Sequence, residues 1–393
     1  MNFLLSFPKY ATECLKTITD NGYEAYFVGG CVRDGLLGRE CFDIDITTSA
    51  LPTDIQAMFK NTLPTGIKHG TITVISDGNP IEITTYRKED GYRDSRHPEN
   101  VSFVSTLNDD LARRDFTINA LAYSTGPNII DLFNGMKDLK NQIIKAVGNP
   151  EKRFSEDALR IIRAYRFASV LGFSIEEKTA NAALKSAEKI SKISGERVLV
   201  ELIKTAAGQR PSYICELLCT GALSDFGLNS PLFNNSVFDR ISMLDIDDSS
   251  KISLFVLLCK HSVEKIKFSL KASNVIIDKI TILNSMISGN IPCNKPELKK
   301  ILYKYGLSHT RLYLYYLLIT ENICDNKLFD LLDDIISKNE AYMISQLSID
   351  GNDLKNMGIS ERNIGKLLEE TLYLVIEDKI ENSREVLLKN IKN

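Results

Sequence analysis

The chain reads as an α+β protein, with a small mixed or antiparallel sheet in its first 140 or so residues and helices from there to the end. Three observations predict this. Short apolar runs of strand character recur as far as Leu132, and two of them flank the turn sequence Asp77-Gly78-Asn79-Pro80. A glycine pair, Gly29-Gly30, interrupts one such run and opens a helical pattern. From Pro150 onward the apolar period is helical throughout, with breaks at Gly172, Gly195, Gly208, Gly221 and Gly227 and no fixed repeat.

Taken in order, Tyr26-Phe27-Val28 forms a strand, and the segment Gly29 to Asp34 turns out of it into a short helix. Phe42-Asp43-Ile44-Asp45-Ile46 is the next strand. Because successive strand side chains alternate, Asp43 and Asp45 share one face while Phe42, Ile44 and Ile46 point to a core. Ser49 or Thr53 caps a helix running to Phe59. The stretches 68–75 and 81–86 make a hairpin in which Ile81 and Ile83 face inward and Glu82 and Thr84 outward. Residues 87–98 are polar without either period, which predicts a mobile loop. Helix returns over 109–122, and 128–132 supplies a further strand. Ser155 is placed to cap a helix that carries Asp157 and Arg160 three residues apart, side by side on one face.

Composition narrows the class. The chain has 393 residues, 44% hydrophobic and 25% charged, and a formal net charge of −3, an ordinary globular balance with room for more than one core. Its N-terminus lacks the basic and apolar regions of a signal peptide, and no apolar run approaches the roughly 18 residues of a membrane span, so a cytoplasmic protein without a membrane partner is expected. Eight cysteines include no C-x-x-C pair and are expected as reduced, buried thiols; four histidines leave a histidine-based zinc site without material. The stretch from Arg153 to Arg210 is rich in Arg and Lys, which fits either a solvated helix surface or a face that follows an RNA backbone. Oligomeric state is open.

The chemistry-bearing residues cluster. Two carboxylates on one strand face repel unless a cation sits between them, so Asp43 and Asp45 are a candidate divalent-metal site for phosphates. Gly29 and Gly30, lacking Cβ atoms, let backbone N–H groups approach a triphosphate. Displacement at phosphorus commonly uses two metal ions, and Glu82 is the candidate third acid. In Arg113-Arg114-Asp115-Phe116-Thr117-Ile118-Asn119-Ala120 the arginines suit phosphate oxygens and Asp115 can accept from ribose hydroxyls. Asp157 and Arg160 fit either an intrahelical salt bridge or a pair that reads a base, the acid accepting from an exocyclic amino group and the arginine donating to ring acceptors. Cytosine and adenine both satisfy such a pair. Uracil and guanine, with a carbonyl beside a ring N–H, leave it mismatched.

These motifs, Gly29-Gly30-x-Val32-Arg33-Asp34 with Asp43-x-Asp45, Arg113-Arg114-Asp115-Phe116-Thr117-x-Asn119-Ala120, Glu156-Asp157-x-x-Arg160, Arg163-Ala164-x-Arg166-Phe167, and Ser194-x-Glu196-Arg197 with Glu201-Leu202, occur in the order seen in class II tRNA nucleotidyltransferases. The chain resembles the bacterial CCA-adding branch of that family, and Asp350-Gly351-x-Asp353-Leu354 resembles the family's tail. The resemblance implies a polymerase-β-like nucleotidyltransferase head (1–140), a helical neck that reads the base (141–205), and a helical body (206–330) and tail (331–393) that bind tRNA, in an elongated seahorse shape. It makes Asp43 and Asp45 the Mg²⁺ ligands and, with Glu82, the catalytic acids. Gly29, Gly30 and Arg33 become triphosphate contacts, Asp115 a ribose contact, and Asp157 with Arg160 the protein template. Arg114, Asn119 and Arg163 complete the nucleotide-binding set, and residues 194–201 brace the template helix. The implied reaction is addition of C, C and A to tRNA from CTP and ATP with release of pyrophosphate. The rivals are an A-only enzyme, a poly(A) polymerase and a non-catalytic RNA-binding scaffold. The segment 86–98 argues against a CC-only enzyme, Gly66 to Thr71 against a poly(A) polymerase, and the intact Asp43 and Asp45 against a scaffold.

Overall fold

The computed structural model describes residues 1–393 apart from 1–4, 42, 93–97, 105, 125, 127, 324–325 and 393, and side chains apart from these and 68 and 88–102. The chain divides into two compact units, one of residues 1–231 with 264–271 and one of residues 232–263 with 272–393.

The first unit begins with α1 (Lys9–Asp20), β1 (Ala25–Val28), α2 (Gly30–Leu36), β2 (Asp45–Thr48), α3 (Pro52–Met58), β3 (Thr62–Gly66), β4 (Thr71–Ser76) and β5 (Asn79–Thr85). A ribbon of β6 (Arg87–Tyr92) and β7 (Pro98–Phe103) follows, then α4 (Leu107–Ala112), β8 (Leu121–Tyr123), β9 (Ile129–Asp131) and α5 (Gly135–Lys140). Seven strands form one mixed sheet in the order β3-β4-β5-β2-β1-β8-β9, in which β2 and β5 run parallel. Ile46, Ile72, Val74, Ile81 and Ile83 project from it into a core closed by Ala11, Cys14, Leu15 and Ile18 of α1, whose spacing lays one apolar stripe on the sheet.

Beyond the sheet come β10 (Ile143–Ile144), α6 (Pro150–Glu156), α7 (Leu159–Leu171), β11 (Ser174–Ile175), α8 (Glu177–Lys185), α9 (Gly195–Ala206) and α10 (Cys215–Cys219). Helix α9 lies tightly on α7. A Cβ at Gly208, just past α9, would come within 2.3 Å of Ser169 Oγ, and Ser169 Oγ donates to Thr205 O at 2.8 Å. Phe116 and Ile118 from the sheet side join Ala164, Phe167, Ala168 and Leu171 of α7 in a second core, which ties the sheet to this helix.

The second unit is helical: α11 (Asn235–Asp239), α12 (Asp248–Leu257), α13 (Val263–Phe268, most of which belongs to the first unit), α14 (Asn274–Ile287), α15 (Lys295–Ile319), α16 (Lys327–Ser337), α17 (Gly351–Asn356), α18 (Glu361–Ile376) and α19 (Arg384–Lys392). Gly306, at φ 76° and ψ 167°, breaks α15 into two helices. Asp350 and Asp353 form a reciprocal cap on α17, and Leu354, Leu372, Ile376 and Leu387 share a core with its neighbours.

Several expectations are corrected. β2 starts at Asp45, so Asp43 lies in a bend ahead of the strand, while Ile44 and Ile46 are buried as expected and Phe42 lies outside the described residues. Leu51 is the N-cap of α3, and the Asp54 side chain accepts from its backbone N–H, leaving neither Ser49 nor Thr53 as the cap. Residues 87–92 and 98–103 pair as an antiparallel ribbon in place of a loop. It forms a two-stranded sheet of its own, which does not require the apolar alternation of a strand packed on a core; residues 93–97 lie outside the described residues. The helix expected over 109–122 ends at Ala112 and gives way to a 3₁₀ turn at 117–119 and strand β8. Asn149, not Ser155, caps α6, and Ser155 Oγ donates back to Lys152 O. The described cysteines are free thiols, but Cys219 and Cys293 are exposed; Cys324 is not described.

Candidate active site

Strand β1 delivers the chain to Gly29, whose φ of +74° and ψ of −130° turn it into α2. A Cβ at this position would sit 3.0 Å from Arg114 Nη1 and 3.8 Å from Asp45 Oδ2, so glycine supplies both the left-handed turn and the room between an arginine and an acid. One strand away, the parallel register of β2 and β5 pairs Asp45 with Glu82 and Ile46 with Ile83. The two acids stand on the open face and the two isoleucines in the core. Asp43 precedes them in the bend.

None of these three carboxylates has a hydrogen-bond or ion-pair partner among the described residues. Burial, together with the charges of Glu82 and Asp43 and against the pull of Arg114, raises the Asp45 carboxyl from its ordinary value to about 6. That is the electrostatic condition a cation relieves. Hard carboxylate oxygens left unpaired on a polar wall fit a divalent metal whose remaining ligands are phosphates and water. Among the described residues no three His, Cys, Asp or Glu side chains converge closely enough to hold a metal ion by themselves.

The opposite wall is built the other way. Asp110, fully buried within α4, accepts from Arg113 Nη2 at 2.7 Å, Arg114 Nη2 at 3.4 Å and Thr47 Oγ1 at 3.1 Å. Burial opposes its charge, but the two arginines hold it below the usual carboxylate range. Asp115 accepts from its neighbour Phe116 N, from Asn119 Nδ2 at 3.1 Å and from Arg163 at 2.7 Å. Here too burial opposes the charge, and Arg163 and Asn119 hold the carboxyl far below its ordinary value. Asn119 Oδ1 in turn accepts from Arg33 Nη1 at 2.6 Å, while the rest of the Arg33 fork grips Asp34. On α7, Arg166 donates to Glu201 of α9 at 2.9 Å and stacks on Phe167 at 3.6 Å. A continuous network therefore joins α2, the 115–119 turn, α7 and α9.

The side chains of Asp157 and Arg160 do not pair with each other. The chain breaks between α6 and α7 at Asp157, whose Oδ1 accepts from Leu159 N at 3.0 Å and whose Oδ2 accepts from Arg197 Nη2 of α9 at 2.8 Å. Arg160 donates to Glu156 at 2.8 Å and to Arg113 O at 3.0 Å. The intrahelical bridge is thus excluded by the geometry, and each member is held by a different element. Arg197 Nη1 is buried without a partner.

Two adjoining hollows of about 380 and 420 Å³ share Asp45, Arg114, Asp115 and Arg163. Glu82, Asp157 and Arg160 line the first with Arg197; Gly29, Gly30, Arg33, Asp43 and Asn119 line the second. Each metal-binding, catalytic and nucleotide-binding candidate expected from the sequence thus lines one or both of these hollows. Asp110 was not among them, although its i, i+3 and i+4 spacing to Arg113 and Arg114 was there to be read.

Comparison with known proteins follows the same lines. Residues 25–145 match the Poly A polymerase head domain, and residues 172–228 match the family described as the probable RNA and SrmB-binding site of polymerase A. A CCA-adding enzyme of Lactobacillus helveticus is 38% identical over 399 residues, covering 98% of this chain and 96% of the relative. The chain belongs to the CCA-adding enzyme family. Another member, from Oceanobacillus iheyensis, is 38% identical over 96% of this chain and 95% of its own. Among solved structures, the Bacillus stearothermophilus CCA-adding enzyme in complex with CTP superposes with a TM-score of 0.78 at 29% identity, covering 98% of this chain and 96% of that one. A Thermotoga maritima CCA-adding enzyme complexed with tRNA shares the fold at a TM-score of 0.70 and 22% identity, covering 97% and 93% of the two chains. The α+β head and helical remainder expected from the motifs are therefore those of CCA-adding enzymes. No described helix is long and apolar enough to cross a membrane.

Proposed function

We propose that this chain adds C, C and A in turn to the 3′ end of tRNA, taking CTP and ATP as substrates, releasing pyrophosphate and using no nucleic-acid template. One observation carries the reading: unpaired acids (Asp43, Asp45 and Glu82) and arginine-held acids (Asp115 and Asp157) line the same two adjoining hollows. The first suits metal-assisted displacement at phosphorus and the second suits reading a base.

Asp43 and Asp45 are the residues that hold the divalent metal, taken here as Mg²⁺, with Glu82 beside Asp45 deepening the negative field. When bound there, the metal supplies charge neutralisation and Lewis acidity for attack of the tRNA 3′ hydroxyl on the α-phosphate. Backbone N–H groups after Gly29 and the fork of Arg33 receive the triphosphate. Arg114, whose Nε is buried without a partner, adds a donor beside the acids. Asp115, whose four acceptor sites are taken by Phe116 N, Asn119 and the Arg163 fork, receives a ribose hydroxyl by exchanging one of these bonds.

Asp157 and Arg160 read the base edge. Each Asp157 oxygen already accepts one hydrogen bond and retains capacity for an exocyclic amino group, and Arg197 fixes its direction. Arg160 is aimed by Glu156 and by Arg113 O. Cytosine and adenine satisfy this arrangement in the same way. Residues 1–140 then serve as catalytic head and 141–205 as the base-reading neck, with 206–330 and 331–393 following the tRNA through phosphates and 2′-hydroxyls, since one enzyme must serve many tRNAs. The cytoplasm, where these substrates are pooled, is the proposed compartment.

The test is incorporation of labelled CTP and ATP into tRNA lacking 0, 1, 2 or 3 terminal nucleotides. Repair of each to CCA, and no further, is the expected result. A-only addition, long A tails or no incorporation would each replace the proposal with a different one.

A further inference from the structure

Asp45 and Glu82 pair across β2 and β5, and the next pair on the same sheet face, two residues along, is Thr47 with Thr84. A further carboxylate comes down on that pair. It is Asp110 of α4, wholly buried, whose Oδ2 accepts from Thr47 Oγ1 at 3.1 Å. Asp110 thus shares a sheet face with Asp45 and Glu82, but it is filled where they are open. Its Oδ1 accepts from Arg113 Nε at 3.0 Å and Nη2 at 2.7 Å, and its Oδ2 from Arg114 Nη2 at 3.4 Å.

Arg114 is held lightly. Besides its long bond to Asp110, Nη1 donates to Asn119 O at 3.5 Å, and Nε is buried without a partner. On its other side is Asp45: Arg114 Nη1 and Asp45 Oδ2 stand 3.0 and 3.8 Å from one point, the place that a Cβ on Gly29 would take. Both side chains line both hollows. A guanidinium and an uncompensated carboxylate on either side of that gap attract one another strongly at the reduced dielectric of a half-buried site. Yet Arg114 pairs with Asp110, and Asp45 has no partner among the described residues.

We infer that Asp110 is a positioning residue for the metal site: its charge holds Arg114 off Asp45, so that the Asp45 oxygens stay open to a divalent cation. The inference rests on the proposed assignment of Asp43 and Asp45 as metal ligands. An arginine beside those acids serves to receive phosphate oxygens, but the same cation, left without a counter-charge, closes on the nearest free carboxylate. Asp110 supplies the counter-charge from within the core, where water does not weaken it. With Asp110 neutral, Arg114 crosses the gap left by Gly29 and pairs with Asp45; the oxygens are then taken, and affinity for a divalent cation falls. Asp110 therefore acts through Arg114, without touching metal or nucleotide itself.

The experiment titrates the full chain with Mn²⁺ by calorimetry in the absence of nucleotide, comparing it with Asp110→Asn, Arg114→Gln and the double variant, each checked for folding by circular dichroism. Asparagine keeps the shape of the side chain and one acceptor oxygen and removes only the charge. Asp110→Asn is expected to raise the Kd for Mn²⁺ at least about tenfold, and the double variant to bring it back to within about threefold of the parent chain, since no guanidinium is left to compete. A merely structural Asp110 predicts a loss that Arg114→Gln does not restore. Unchanged affinity in Asp110→Asn, or a loss that persists in the double variant, overturns the inference. Arg114→Gln alone, which leaves the buried acid in place, is expected to bind Mn²⁺ as well as the parent or more tightly; weaker binding there overturns the inference even if Asp110→Asn does not fold. Asp45→Asn separates the two readings. If it leaves Mn²⁺ binding intact, the metal-ligand assignment falls and takes this inference with it; if it weakens binding while Asp110→Asn does not, only the role of Asp110 falls.

Discussion

The two walls of the depression use the same residue type in opposite electrostatic states. On the β2–β5 wall, Asp43, Asp45 and Glu82 have no protein partner among the described residues, and burial and mutual repulsion raise the Asp45 carboxyl to about 6. By contrast, Asp115 and Asp157, which line the hollows, and Asp110, which is fully buried, are each gripped by at least one arginine, and Asp110 and Asp115 are held below the usual range against the effect of burial. The difference separates acids whose charge the protein leaves uncompensated from acids whose charge it already balances. In the proposed function the first hold the metal, and Asp115 and Asp157 of the second meet the nucleotide from fixed positions.

The sharpest way to break the comparison is to remove one acid from the open wall. Asp45→Ala should lower incorporation of CTP and ATP alike by on the order of 10³-fold, since the metal's stabilisation is worth several kcal/mol, with little change in thermal stability. A preference for one nucleotide in the residual activity would contradict the assignment. The opposite is expected on the closed wall: Asp110→Ala strands two arginines around a buried site and should cost about 3–5 kcal/mol of stability, read as a drop in the denaturant midpoint at unchanged slope. Asp157→Ala should relax nucleotide choice, with discrimination against UTP and GTP falling by about 1–3 kcal/mol, while the affinity for divalent metal stays put. Full retention of discrimination would remove Asp157 from the template.

The smallest effect is in pH. The proton on Asp45 competes with the metal, and a carboxyl raised to about 6 is ionised above that value and protonated below it. Metal affinity measured by calorimetry should therefore be level above pH 6 and fall as the pH drops below it, by up to about tenfold per unit for one proton. Asp110 and Asp115, with lowered values, stay charged across the same window. A pH-independent metal affinity between 5 and 7 would show that Asp45 is not the competing group.

Much of this site is legible residue by residue. Gly29-Gly30 and the hairpin around Asp77-Gly78 announce themselves because glycine geometry and strand alternation are local rules, whereas Asp43, expected on the strand with Asp45, lies in the bend ahead of it. Glu82 was readable as outward-facing for the same reason, but its place beside Asp45 depends on a parallel register between strands 37 residues apart in sequence. Asp157 and Arg160 misled in detail. Three-residue spacing promises contact only on an unbroken helix, and the break at Asp157 sends its carboxylate to Arg197, 40 residues on. The 87–103 ribbon was missed because strands without a core face carry no apolar alternation, and Asp110 because a buried acid looks like a surface one until its arginines fold over it.

By itself, then, the order of residues determined the class of fold, the acid pair, the glycine turn and the family, since each rests on spacing within a few positions or on motif order along the chain. Only the tertiary structure decided which acids are paired and which are left open. Ion pairing and burial are set by groups that meet from distant segments, and the low dielectric between them, absent from any linear pattern, leaves some aspartates uncompensated and others locked by arginines.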